Sequence, residues 1–138
     1  MPVIYVATAS STGEGRNGHV ETSDGKVSLD LSYPKELGGS GAGSNPEQLV
    51  AMGYAACFAG ALGVVARRRG LSLADAGVTC NASLHKDEDA FSLSFEIVVS
   101  LPSLPAAEAE AVVAEAHTVC PYSKAFAHGA PAVARAAT

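Results

Sequence analysis

Two thiols stand in settings that could do chemistry. Cys57 lies in Gly53-Tyr54-Ala55-Ala56-Cys57-Phe58-Ala59-Gly60, among small residues and two rings. Cys120 lies in Val119-Cys120-Pro121-Tyr122-Ser123, where a helix would close before a proline. Each taken alone reads as well as core packing. Together they sit on different predicted helices, 63 positions apart, so that only tertiary packing can join them. A pair so joined fits a peroxidatic and a resolving cysteine: the first is oxidised to a sulfenic acid, and the second condenses with it to a disulfide. Cys80, in Val78-Thr79-Cys80-Asn81-Ala82, has no activating neighbour in sequence and reads as a packed strand residue.

A peroxidatic cysteine must be a thiolate, and apolar burial opposes that. A cation is therefore required nearby. Arg16 is a candidate, carried in the loop Gly13-Glu14-Gly15-Arg16-Asn17-Gly18-His19, whose glycines allow a guanidinium to be placed in a pocket. Glu47 is its candidate partner, able to orient the guanidinium as a bidentate carboxylate, although a helix-dipole role explains it equally well. Glu47 and Cys57 lie ten residues apart on one predicted helix, about 15 Å along the axis. One chain does not easily bring them into one site, and two copies packed together can. The expectation is a homodimer with its sites at the interface.

Three other chemistries compete. His117 and Cys120, at i and i+3, could share a metal, but no CxxC or second pair accompanies them, and none is expected to be bound. A cysteine hydrolase needs a histidine base beside Cys57, and His19, His85, His117 and His128 fall in no recognisable motif. A carrier of apolar ligands would use Cys57 as lining only.

The elements that must position these groups come from a chain of 138 residues, enough for one domain, 1–138. Apolar residues make up 48% and charged residues 17%, a globular composition. Nine Lys and Arg against fourteen Asp and Glu give a net charge of −5, which disfavours nucleic acid as a partner. The first sixteen residues lack the pattern of a signal peptide, and the cytoplasm is the expected compartment. Leu49 to Ala66 is uncharged over 18 residues, the lower edge of a membrane span. Its Ala and Gly content favours instead a buried central helix and no membrane. Ala51, Ala55, Ala59 and Gly63 step by four along it, a stripe that lets another helix approach closely.

Val3 to Thr8 reads as a strand and His19 to Tyr33 as a hairpin turning at Ser23-Asp24-Gly25-Lys26. A long helix starts at Asn45-Pro46-Glu47 and stops at Arg67-Arg68-Arg69-Gly70. A second hairpin joins Val78–His85 to Phe91–Leu101 across Asp87-Glu88-Asp89, and a second helix runs from Pro105 to about Val119. The Ala-rich tail from Ala127 has no assignment. The fold class is α+β.

Five segments in order carry a resemblance: Gly15-Arg16-Asn17-Gly18-His19-Val20, Pro34-Lys35-Glu36-Leu37-Gly38-Gly39, Asn45-Pro46-Glu47-Gln48-Leu49, Gly53-Tyr54-Ala55-Ala56-Cys57-Phe58 and Val119-Cys120-Pro121-Tyr122-Ser123. From about Tyr5 to Lys124 the chain resembles the organic hydroperoxide resistance (Ohr) family of the OsmC superfamily. The resemblance implies an intertwined homodimer with two central helices per chain packed against antiparallel β-sheets. It implies a thiol peroxidase acting on organic hydroperoxides, including those of fatty acids, in defence against peroxide stress. Cys57 would be peroxidatic, Cys120 resolving, and Arg16 with Glu47 the activating pair. No cofactor would be bound, and the external reductant would be a dihydrolipoyl group on a lipoylated protein. The tail departs from the resemblance: the family ends in a strand, and Pro131 interrupts the Ala-rich residues up to Thr138.

Overall fold

The computed structural model describes residues 1–137 and forms two compact units, Met1–Leu49 and Val50–Thr138. The first holds three antiparallel strands in the order β1-β2-β3: Ala9–Thr12, His19–Thr22 and Ser28–Asp30. The β2–β3 turn is built as its sequence dictates. Asp24 Oδ1 accepts from the Lys26 N–H at 3.0 Å and from Thr22 Oγ1 at 2.8 Å, and Gly25 takes a left-handed φ of 74°. Between β1 and β2 the chain makes one 3₁₀ turn, Gly15–Asn17, which carries Arg16. A Cβ on Gly18 would sit 2.1 Å from the Thr12 carbonyl oxygen, so only glycine lets the loop close onto β1.

Residues 3–8 are not a strand, contrary to the sequence expectation. Val3, Ile4, Tyr5 and Val6 are exposed, and the first ladder begins at Ala9 paired with Thr22. β-Branched residues give the propensity for a strand, but a strand also needs a ladder partner, and of residues 3–8 Thr8 alone has a cross-strand bond among the described residues, its carbonyl accepting the Ser23 N–H at 2.9 Å.

Helix α1, Pro46–Arg69, follows its signals at both ends. Asn45 Oδ1 accepts the Gln48 N–H at 2.9 Å, a side-chain N-cap. At the other end Gly70 has φ of 65°, the Leu71 N–H reaches the Ala66 carbonyl at 2.9 Å, and the Gly70 N–H reaches that of Arg67 at 3.4 Å. Those two bonds make a Schellman stop. By length and composition α1 is apolar enough to cross a membrane. Its Tyr54, Phe58, Ala61, Leu62 and Val65, however, recur at helical spacing and build the core of the second unit.

That core is completed by a hairpin and two helices. Strands β4 (Gly77–Lys86) and β5 (Phe91–Ser100) pair antiparallel, with Val78 opposite Val99, Cys80 opposite Ile97 and Ala82 opposite Phe95. Alternate residues are partly buried, and Val78, Cys80, Phe95, Ile97 and Val99 pack on the core. Helix α2 (Ala106–Val119) adds Val112 and Ala116. Helix α3 (Pro121–His128) was not anticipated. The remaining described residues, 129–137, hold no strand. Ala55, Ala56, Ala59 and Gly63 of α1 line an open groove of about 410 Å³ with Leu73, Ala76 and Val78.

Candidate active site

Cys57 faces the interior of the second unit because it lies one helical turn from Tyr54 and beside Phe58, both of which are buried. Cys120 is the single residue between α2 and α3: its φ of −63° and ψ of 121° end one helix and begin the next, and Pro121 takes the first helical position. Its N–H bonds the Ala116 carbonyl at 2.9 Å, and its carbonyl accepts the Lys124 N–H at 3.0 Å. This hinge carries the Cys120 side chain into the core at 0% exposure.

The two sulfurs lie 3.5 Å apart, with the Cys120 thiol donating to Cys57 Sγ. Both are free, and Cys57 is the more open of the two. A disulfide needs about 2 Å, so a small approach of the sulfurs separates the dithiol from the bond. Burial pushes the Cys57 thiol above its ordinary value, and the Tyr122 N–H acts in the opposite direction. The neighbouring Cys120 thiol also acts to raise Cys57, after burial.

Arg16 and Glu47 form the fork the sequence suggested, within the first unit. Arg16 Nη1 donates to Glu47 Oε2 at 2.7 Å and Nη2 donates to Oε1 at 2.6 Å. The hydrogen bonds from Arg16 hold the Glu47 carboxyl below its usual range, and the same bonds raise the guanidinium pKa. Cys80 lies on β4, packed toward the core, and burial alone raises its thiol.

A polar trio beside the thiols was not foreseen. Ser123 Oγ lies 2.7 Å from Tyr54 Oη and 2.9 Å from His117 Nδ1. The signal was present as spacing: Tyr54 precedes Cys57 by three residues, while His117 and Ser123 stand three before and three after Cys120. Around the trio, Tyr54, Phe95, Tyr122 and Phe126 form an aromatic cluster, with the Phe95 and Phe126 rings stacked at 4.2 Å. Gly53 makes room for it, since a Cβ there would lie 2.8 Å from Tyr122 Oη.

Residues 38–134 match the model of the OsmC-like protein family. An organic hydroperoxide resistance protein of Xanthomonas axonopodis pv. citri (strain 306) is 42% identical over 125 residues, 89% of this chain and 87% of the relative. The chain belongs to the organic hydroperoxide resistance (Ohr) group of the OsmC-like family. Solved structures agree. That of an organic hydroperoxide resistance protein from Legionella pneumophila superposes with a TM-score of 0.86 at 47% identity, covering 93% of each chain. That of OhrB of Bacillus subtilis superposes with a TM-score of 0.81 at 38% identity, covering 91% of this chain and 93% of the other. The α+β fold is the Ohr fold, as the motifs implied.

Proposed function

We propose that this protein is a cysteine-based peroxidase that reduces organic hydroperoxides, fatty-acid hydroperoxides among them, to alcohols. The observation that carries the reading is the 3.5 Å separation of Cys57, on α1, and Cys120, between α2 and α3, inside an apolar core. The names of the Ohr relatives support the substrate class. The Cys57 thiolate attacks the terminal oxygen of the hydroperoxide. The O–O bond breaks, the alkoxide leaves and takes up a proton as the alcohol, and Cys57 becomes a sulfenic acid. The Cys120 sulfur then attacks the Cys57 sulfur. Hydroxide leaves with the Cys120 proton as water, and the disulfide forms. A dithiol restores both thiols and is itself oxidised. The proposed physiological donor is a dihydrolipoyl group on a lipoylated protein, and no bound cofactor takes part.

Within its own unit Cys57 is a poor thiolate, because burial raises it. The Arg16–Glu47 fork is the proposed remedy, brought to Cys57 at a homodimer interface. Arg16 would stabilise the thiolate and the charge developing on the leaving oxygen, and Glu47 would hold the guanidinium plane. The exposed apolar residues at 3–6 and the small-residue groove on α1 support association of two copies. The proposed setting is the cytoplasm.

The test is turnover of a bulky organic hydroperoxide with dihydrolipoamide, using wild type, Cys57→Ser and Cys120→Ser. Activity should vanish in Cys57→Ser. With a monothiol reductant in place of the dithiol, Cys120→Ser should stall after its first equivalent. Turnover that survives Cys57→Ser overturns the proposal.

A further inference from the structure

Cys120 occupies a hinge. It belongs to neither α2 nor α3 and is the single residue that joins them. The backbone bonds at the hinge, Cys120 N–H to Ala116 and Lys124 N–H to Cys120, run along the chain on either side of it. They do not tie α3 to α1, which carries Cys57. Apart from packing and the Tyr122 N–H that faces the Cys57 sulfur, one side chain of α3 does so among the described residues. Ser123, in the first turn of α3, is 1% exposed. Its hydroxyl bonds Tyr54 of α1 at 2.7 Å and His117 of α2 at 2.9 Å.

We propose that Ser123 is a positioning residue whose hydroxyl clasps the three helices together and holds Cys120 in bonding range of Cys57. Chemistry favours this role over incidental pairing. A hydroxyl has one hydrogen to give and lone pairs to receive, so it can bond Tyr54 Oη and His117 Nδ1 at once, donating to one and accepting from the other. All three helices are then joined through one atom with every buried polar atom satisfied. Tyr54 is itself 4% exposed, so losing Ser123 removes the one protein partner its hydroxyl has among the described residues. The consequence falls on the disulfide. A dithiol already held at 3.5 Å has little conformational freedom left to lose on oxidation, which raises the effective concentration of one sulfur at the other. Loss of the clasp lets α3 pivot about Cys120 and lowers that concentration.

The inference deepens the resolving step of the proposed peroxidase and rests on that reading for its biological meaning. Its test does not. The chain is equilibrated with mixtures of dithiothreitol and its cyclic disulfide in a Cys80→Ser background. In the forward exchange, Cys57 and Cys120 form one S–S bond and give two electrons and two protons to the reagent's disulfide, which becomes the dithiol. The Cys57–Cys120 equilibrium constant is read from the fraction oxidised, for the background chain, Ser123→Ala and Tyr54→Phe. Ser123→Ala should lower it about tenfold, a rise in reduction potential of about 30 mV for a two-electron couple. Tyr54→Phe, which keeps the ring and removes only the α1 arm of the clasp, should lower it in the same direction by a smaller factor. Constants within twofold of the background chain in both variants overturn the proposal. If Ser123→Ala does not fold, Tyr54→Phe decides alone: a fall supports the clasp, and an unchanged value overturns it. A chain that forms the disulfide in this buffer but turns over no hydroperoxide would remove the peroxidase reading and leave the clasp standing.

Discussion

Replacing Glu47 with Gln isolates the charge of the Arg16–Glu47 fork while keeping its shape. The side chains are 28% and 17% exposed, so the pair is neither fully solvated nor deeply buried. Hydrogen bonds to charged groups contribute about 1.5–3 kcal/mol, and exposed ion pairs about 0–1 kcal/mol. Gln still accepts one bond from the guanidinium, and Arg16 can still reach water. We therefore expect a loss of about 1 kcal/mol at pH 7, which for a chain of this size lowers Tm by about 3–5 °C. The pH dependence is the sharper part. The bonds from Arg16 hold the Glu47 carboxyl below its usual 4.5, to which it returns in the unfolded chain. The contribution of the charge is complete above that usual value and is lost as pH falls through the depressed folded value. Thermal unfolding followed by circular dichroism at matched protein concentration should show the gap between wild type and Glu47→Gln at pH 7. It should narrow as pH falls below 4.5 and close only below the depressed folded value. A gap that persists unchanged at pH 3, or none at pH 7, would refute the reasoning.

Other changes follow from the same structure. Gly70→Ala forces a left-handed residue to carry a Cβ and should cost about 1 kcal/mol, read from the urea midpoint. Asn45→Ala removes the cap of α1 and should cost about 1 kcal/mol, most of it restored by Asn45→Ser or Asn45→Asp. Gly18→Ala drives a Cβ onto the Thr12 carbonyl, where only backbone can yield, and should destabilise by about 2 kcal/mol or more in the same assay. Cys80→Ser should leave hydroperoxide turnover unchanged, because the 3.5 Å pair does not include it.

Features whose cause is local could be read in the sequence. The cap at Asn45, the stop at Gly70 and the turns at Asp24 and Asp87 are set by a few adjacent residues, and each formed where its signal lay. Features that need a distant partner could not. Val3 to Thr8 has the composition of a strand but gains a cross-strand bond only at Thr8, whereas the Ser- and Thr-rich residues after it pair with β2. Helix α3 was hidden by reading Cys120-Pro121 only as the end of α2. The same proline is also a favoured first residue, and the pair closes one helix and opens another. In the candidate site, residue types nominated Arg16, Glu47, Cys57 and Cys120. Spacing could not reveal that the sulfurs meet, nor that a serine one turn beyond Cys120 joins three helices. Those follow from packing in three dimensions.

The most direct measurement treats the reduced protein with one equivalent of an organic hydroperoxide and maps its cysteines by peptide mass spectrometry. The account predicts a Cys57–Cys120 disulfide, with Cys80 still free. Intact thiols at 57 and 120, or a disulfide that includes Cys80, would contradict it.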